Sequence, residues 1–218
     1  MLLCIEFHCY ITGWLCSIDL MLVFLVWNHI NDIERTSHVF LSGVTCDTIV
    51  GSATYGRITS IYIYGRSLTG TLPSSIGNFQ SVTSLNIAWN SLKGTIPSTI
   101  NGLTSLTVIS FYLNSLKGTI PSTISALTSL TVISFSSNSL TGTIPSTMSA
   151  LTSLTYLDLR YNYLTMGAAT SVPISTFSAR TLSGYLYLDN NCLVFDTNNP
   201  YRHVTATHCR STTTPSKY

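Results

Sequence analysis

Charged side chains are scarce in this sequence of 218 residues, because only 8% are Asp, Glu, Lys or Arg against a typical quarter. The formal net charge is +2, and the basic residues are scattered along the chain. Proteins that bind nucleic acid neutralise phosphates with a basic patch or stripe, and this sequence has none. We therefore expect no nucleic-acid partner. The lack of an acidic cluster likewise argues against a site for a hard cation.

Catalytic motifs are also missing. The sequence contains no G-x-S-x-G, no P-loop, no H-E-x-x-H and no kinase signature. The spacing of His203, His208 and Cys209 fits no standard zinc pattern. We therefore expect a protein that is not an enzyme and needs neither a cofactor nor a metal ion.

The first 27 residues are mostly apolar but lack the usual marks of a targeting segment. They contain no Lys or Arg, Glu6 and Asp19 interrupt the apolar run, and no A-x-A-like cleavage site follows. Three interpretations of residues 1–40 stay open: a secretory leader, a signal anchor, or a stretch that is not the natural start of the protein. The second would allow membrane association through this segment.

A repeat dominates the rest of the chain. The heptapeptide G-T-I-P-S-T-I begins at Gly94 and Gly118, G-T-I-P-S-T-M begins at Gly142, and G-T-L-P-S-S-I begins at Gly70, so that the four starts are spaced 24 residues apart. The full unit is L-x-x-L-x-L-x-x-N-x-L-x-G-x-I-P-x-x-I-x-x-L-x-x. Units begin at positions 58, 82, 106, 130 and 154, and an irregular insert precedes a sixth, terminal unit. We therefore predict repeats over residues 58–193, about six units of which four are complete.

Elementary chemistry explains the fixed positions of this unit. The alternation L-x-x-L-x-L places one face of a short strand in the core and the other in solvent. The asparagine that ends each strand can satisfy backbone groups left unpaired by the bend. The proline stops a second short strand and starts the outer segment. Stacked units therefore predict an α/β solenoid with a parallel sheet on one side, whose open ends need caps.

This unit resembles the plant-specific subclass of leucine-rich repeats, found in receptor-like kinase ectodomains and polygalacturonase-inhibiting proteins. The resemblance covers about residues 41–209. It implies a right-handed superhelix with a concave parallel β-sheet and short convex 3₁₀ or helical segments. It also implies a secreted or cell-surface protein with a receptor-like role.

The caps are predicted on either side of the repeats. Residues 41–57 resemble an incomplete N-terminal cap of the form C-x-W-x-G-V-x-C, in which Gly43, Val44 and Cys46 match and the first cysteine and the tryptophan do not. Cys46 pairs with Cys16 or stays a thiol. Residues 194–209 form the predicted C-terminal cap, closed by a Cys192–Cys209 disulfide. Residues 210–218 read as a Ser/Thr/Pro-rich tail.

The outward positions of the concave strands are the candidate binding face. Tyrosine, tryptophan and arginine are over-represented at binding hot spots, because they offer large or bidentate contacts. The predicted ligand-binding residues are Tyr62, Tyr64, Trp89, Tyr112, Tyr156, Asp158, Arg160, Tyr161, Tyr185, Tyr187 and Asp189. The alternative interpretation of the aromatic side chains is that they only stabilise the sheet by cross-strand packing.

Threonine forms two repeated columns, which suggest a second function. One column is the threonine of G-T-I-P, at Thr71, Thr95, Thr119 and Thr143. The other comprises Thr59, Thr83, Thr107, Thr131 and Thr155. Threonine ladders resemble the ice-binding faces of some solenoid antifreeze proteins. Duplication of one unit would also produce such columns without any function.

These observations favour an extracellular or cell-surface recognition module. We expect it to bind a protein, a peptide or a cell-wall glycan on its concave face. The alternatives are an ice-binding protein that uses the G-T-I-P threonines and, by family analogy, an inhibitor of secreted polysaccharide hydrolases.

Overall fold

The computed structural model of the chain describes residues 44–46, 57–165 and 185–193. Short strands and short 3₁₀ helices follow one another along these residues. The strands of the main sheet are β1 (Val44–Cys46), β2 (Ile58–Tyr62), β4 (Ser84–Asn86), β6 (Val108–Ser110), β8 (Val132–Ser134), β10 (Tyr156–Asp158) and β12 (Leu186–Tyr187). The remaining strands are β3 (Thr69–Thr71), β5 (Ser91–Lys93), β7 (Lys117–Thr119), β9 (Ser139–Gly142) and β11 (Tyr163–Leu164).

The main sheet has seven strands in the order β1-β2-β4-β6-β8-β10-β12. All neighbours are parallel except β1, which pairs with β2 in the antiparallel direction. Leu85 lies opposite Ile109, and Ile109 lies opposite Ile133, so each register step equals one 24-residue repeat. Equivalent side chains of successive units therefore stand side by side on this sheet.

The second set of strands pairs with a different register. β3 pairs with β5, and β7, β9 and β11 form a three-stranded sheet. Here Thr119 lies opposite Thr141, and Thr71 lies opposite Lys93, so each step is two residues shorter than the repeat. A column of side chains one repeat apart therefore runs obliquely across these strands.

A 3₁₀ helix follows each proline of the repeat on the convex side. The four helices span Ser74–Asn78, Ser98–Gly102, Ser122–Ala126 and Ser146–Ala150. Each preceding proline is extended, with φ between −75° and −60°, and lacks the N–H that a longer strand would need. The helix ends at a buried Phe79 or leucine, which closes the core from the convex side.

One continuous apolar core runs through all described units. Phe111 and Phe135 are fully buried inside it, with stacked rings whose centroids are 5.2 Å apart. An asparagine column borders this core. Asn138, for example, accepts a hydrogen bond from the Leu116 N–H at 3.0 Å and donates to the carbonyls of Phe111 and Phe135 at 2.9 and 3.1 Å. Each asparagine thus ties its own turn to the preceding unit, which satisfies buried backbone groups.

The predicted solenoid with a parallel sheet and short 3₁₀ segments is confirmed. No helix in the described ranges is long and apolar enough to cross a membrane. Residues 1–40, the partner Cys209 of the predicted disulfide and the tail at 210–218 lie outside the described residues. The domain boundaries therefore stay predictions.

Candidate functional site

The concave face carries two aromatic clusters at opposite ends. The N-terminal aromatic cluster consists of Tyr62, Tyr64 and Trp89. The C-terminal aromatic cluster consists of Tyr156, Tyr185 and Tyr187, together with Arg160. The strands between them present mainly small side chains, such as Ser110 and Ser134. The structure therefore divides the predicted face into two separate patches.

In the N-terminal aromatic cluster the rings are well exposed. Tyr62 is 54% and Trp89 is 57% exposed. The rings of Tyr62 and Tyr64 are nearly parallel, at 21°, with centroids 6.3 Å apart. The Trp89 ring stands at 85° to that of Tyr64, with centroids 5.5 Å apart. The two tyrosine rings thus stack on each other, and the ring of Trp89 meets that of Tyr64 edge to face.

The backbone of Trp89 has a φ of 54°, in the left-handed region. The same position in the other units holds Gly65, Leu113, Ser137, Tyr161 and Asn190, all with positive φ. A left-handed backbone costs a residue with a Cβ roughly 1–2 kcal/mol, and glycine or asparagine occupies it most readily. The bend before the asparagine column imposes this conformation in every unit. The backbone preference of tryptophan therefore does not explain why a bulky side chain occupies this position in the second unit.

The C-terminal aromatic cluster is organised around Arg160. Its Nε and Nη2 donate to the two carboxylate oxygens of Asp158, at 3.0 and 2.8 Å. Its guanidinium carbon lies 4.5 Å from the centre of the Tyr187 ring, a cation–π contact. The ring of Tyr156 lies 5.6 Å from that of Tyr187 and 6.1 Å from that of Tyr185. Arg160 is thus held in one position between an anion and an aromatic face.

Asp158 was expected to face a ligand, but its side chain is buried. Its side chain is only 5% exposed, whereas that of Arg160 is 36% exposed. The Ser136 hydroxyl donates to Oδ2 of Asp158 at 3.0 Å, and the Arg160 N–H donates to Oδ1 at 3.1 Å. The carboxylate is therefore covered and occupied, and it acts by positioning Arg160. A buried charge needs such partners, since it would otherwise be costly.

The ionisation of two side chains reflects this arrangement. The hydrogen bonds to Asp158 hold the pKa of the Arg160 guanidinium above its ordinary value, so the cation is permanent. Burial raises the pKa of the Tyr156 hydroxyl, and the nearby charge of Asp158 raises it further. The cluster therefore presents an arginine cation, paired with Asp158, beside a neutral phenol.

The other predicted residues lie on the same face but outside these contacts. Tyr161 is exposed, and Tyr112 is half-buried in the third unit. Neither makes a ring contact with another aromatic side chain of the described residues. Asp189 is half-buried in the last unit, where its carbonyl accepts the Tyr161 N–H at 3.0 Å.

Ser136 is a site residue that the sequence did not single out. It is buried just after the end of the neighbouring strand β8 and diagonally across from Asp158. The diagonal contact between side chains of neighbouring strands is the signal that could have identified it.

The two threonine columns differ in the use of their hydroxyls. Thr83, Thr107, Thr131 and Thr155 each donate to the carbonyl of the equivalent threonine one unit earlier, at 2.9–3.1 Å. The G-T-I-P threonines are all exposed, and their hydroxyls have no hydrogen-bond partner among the described residues. The methyl groups of the first three lie against the glycines of the next unit, which have positive φ.

Known proteins match this chain over its repeats. A family model for the leucine rich repeat matches residues 113–164, and a second one matches residues 81–103. The ectodomain of the receptor kinase SOBIR1 from Arabidopsis thaliana is 26% identical, with a TM-score of 0.64, over 80% of this chain and 93% of that one. A comparison with curated protein sequences gave no match.

Two other solved structures are similar over part of their length. A plant ice-binding protein is 31% identical, with a TM-score of 0.57, over 68% of this chain and 48% of that one. The plant peptide hormone receptor RGFR1, solved in complex with RGF2, is 36% identical, with a TM-score of 0.52, over 56% of this chain and 19% of that one. This chain therefore spans about half of the first protein and a fifth of the second.

The stacked parallel strands, the asparagine column and these matches define a leucine-rich-repeat solenoid. Residues 81–103 and 113–164 are thus leucine-rich repeats, and they are of the plant type found in receptor ectodomains.

Proposed function

We propose that this protein is an extracellular or cell-surface recognition module that binds a protein or peptide through its C-terminal aromatic cluster. The observation that carries the proposal is the state of Arg160, which is fixed by two hydrogen bonds to Asp158 and by the Tyr187 ring while its side chain stays partly exposed. A side chain that is already immobilised loses little conformational entropy when it binds.

The surroundings of Arg160 fit a hot spot. Tyr185 is 57% exposed, and Tyr161 is also open to solvent. Tyrosine and arginine side chains at the centre of an interface contribute most of its binding energy. The similarity to the plant peptide hormone receptor RGFR1, which was solved in complex with RGF2, supports a peptide or protein ligand.

The test is selection of peptides from a displayed random library on the immobilised full-length protein. We expect peptides enriched on the wild type to be lost on the Tyr185→Ser and Arg160→Gln variants, because both remove contact area at the proposed hot spot. Tyr62→Ser is the matched control, since it removes a similarly exposed tyrosine at the other end of the face.

Thermal melts must show that each variant is folded before binding is compared. Equal enrichment on the wild type and on a folded Arg160→Gln, Tyr185→Ser double variant would contradict the proposal. Failure of any peptide to enrich on the wild type would contradict it as well.

A second candidate function is ice binding by Thr71, Thr95, Thr119 and Thr143. Their exposed hydroxyls, which have no partner within the described ranges, and the 31% identity to a plant ice-binding protein favour it. The oblique register counts against it, because Lys93 stands directly opposite Thr71 and interrupts a flat surface of threonines. Thermal hysteresis of the purified protein, compared with a Thr119→Lys variant, is the test. Equal hysteresis in both proteins, or none in the wild type, would exclude this surface.

A further inference from the structure

The N-terminal aromatic cluster takes no part in the site around Arg160 and needs its own explanation. Trp89 occupies a left-handed position that favours glycine or asparagine. Its side chain is nevertheless 57% exposed, so more than half of a large aromatic surface is open to a partner. The edge contact with Tyr64 holds the ring beside that tyrosine. A large aromatic side chain is thus kept at a strained and exposed position, and such residues are often functional.

The polar groups beside the rings are uncharged donors. Asn86 lies directly opposite Tyr62 on the neighbouring strand, and Ser110 lies opposite Asn86. Oδ1 of Asn86 accepts the Ala88 N–H at 3.1 Å, which fixes the amide. Its Nδ2 has no hydrogen-bond partner among the described residues. The outward positions of β2, β4 and β6 hold no charged residue.

We infer that the N-terminal aromatic cluster is a binding site for a neutral, β-linked glucan chain. A β-linked glucose unit presents a flat face of C–H groups, which packs on the exposed aromatic rings of Tyr62 and Trp89. Its ring of hydroxyls needs uncharged donors and acceptors at the edge, which Asn86 and Ser110 supply. The lack of charge at these strand positions disfavours acidic sugars and charged peptides, because none of the positions carries a basic side chain to compensate their desolvation.

This site is separate from the one proposed around Arg160. Trp89 belongs to the second unit and Arg160 to the fifth, so three strand spacings, about 14 Å, lie between their strands. A glucan on the first site therefore leaves the second accessible.

The experiment is calorimetric titration of the full-length protein with cellohexaose. We expect the wild type to bind. The dissociation constant of Trp89→Asn should be larger by at least about tenfold, since loss of a central aromatic contact lowers affinity by about that factor. Asparagine stands at the equivalent position in the last unit, so this variant keeps the left-handed backbone, and a thermal melt must show that it is folded before the titrations are compared. Tyr185→Ser is the control, and it should bind cellohexaose like the wild type.

Two comparison ligands separate the alternatives. Hexaproline tests an extended peptide that also docks on aromatic grooves, and an oligogalacturonide tests an acidic glycan. The inference is overturned if cellohexaose does not bind, if Trp89→Asn binds it equally, or if either comparison ligand binds more tightly through Trp89. Tyr185→Ser changes only the proposed peptide site. A negative result with cellohexaose therefore does not contradict the peptide binding proposed above.

Discussion

The two threonine columns look alike in the sequence and differ in the structure. In the column of Thr107 and Thr131 each hydroxyl donates to the backbone of the preceding unit. In the column of Thr95 and Thr119 the residues are exposed, their hydroxyls have no hydrogen-bond partner among the described residues, and the methyl group lies against the glycine of the next unit. Repetition at the same period therefore does not reveal whether a side chain holds the solenoid together or is free to meet a partner.

The largest effect is expected where the exposed column touches the backbone. A Cβ on Gly118 would lie 2.8 Å from Cγ2 of Thr95, and Gly118 has a φ of +76°. Gly118→Ala should therefore lower the free energy of unfolding by about 3 kcal/mol, from strain and overpacking combined. Urea denaturation measures this loss.

Gly70→Ala is the matched control for this variant. Gly70 also has a positive φ, but a Cβ added there would have no described atom of another part of the chain within 4 Å. We expect a smaller loss, about 1–2 kcal/mol, because only the backbone strain remains. Equal losses at the two glycines would mean that the threonine methyl does not pack as described.

An intermediate effect is expected in the hydrogen-bonded column. Thr131→Val keeps the shape of the side chain and removes the bond from its hydroxyl to the Thr107 carbonyl, at 3.0 Å. That carbonyl still accepts the Thr131 N–H at 2.8 Å, so it is not left unpaired. We expect a loss of about 0.5–1 kcal/mol in the free energy of unfolding, again from urea denaturation. An unchanged stability would show that this ladder does not contribute.

The smallest effect is expected at the exposed column. Thr119→Val has no hydrogen bond to remove among the described residues and retains the methyl group that faces Gly142. The free energy of unfolding should change by less than about 0.5 kcal/mol. A loss as large as that of Thr131→Val would end the distinction between the two columns.

The repeat positions made most of the fold predictable. The leucines, the asparagine column and the proline each have one physical task that recurs in every unit, so the strand, the turn and the convex segment follow from the spacing. The second register was not predictable in this way. Thr119 pairs with Thr141 because backbone geometry, and not side-chain identity, sets the step between those strands.

The candidate site was predictable in part. The tyrosines and Arg160 lie on the concave face as the alternation implies. The burial of Asp158 was not predictable, because it depends on the bidentate contact with Arg160 and on Ser136 from the neighbouring unit. The left-handed conformation of Trp89 could have been predicted from the repeat, because the equivalent position holds Gly65 in the first unit and Asn190 in the last.

The near-identity of the middle units bears on the length of the solenoid. Asn114 donates to the Ile87 carbonyl just as Asn138 donates to that of Phe111, so either unit offers its neighbour the same partners. A chain without residues 106–129 would therefore close with equivalent bonds. Its two aromatic patches would approach each other by one strand spacing, about 4.8 Å, and an added copy would part them by the same step. The number of middle repeats thus sets the distance between the two aromatic patches, and the gain or loss of one unit changes that distance without changing the residues of either patch.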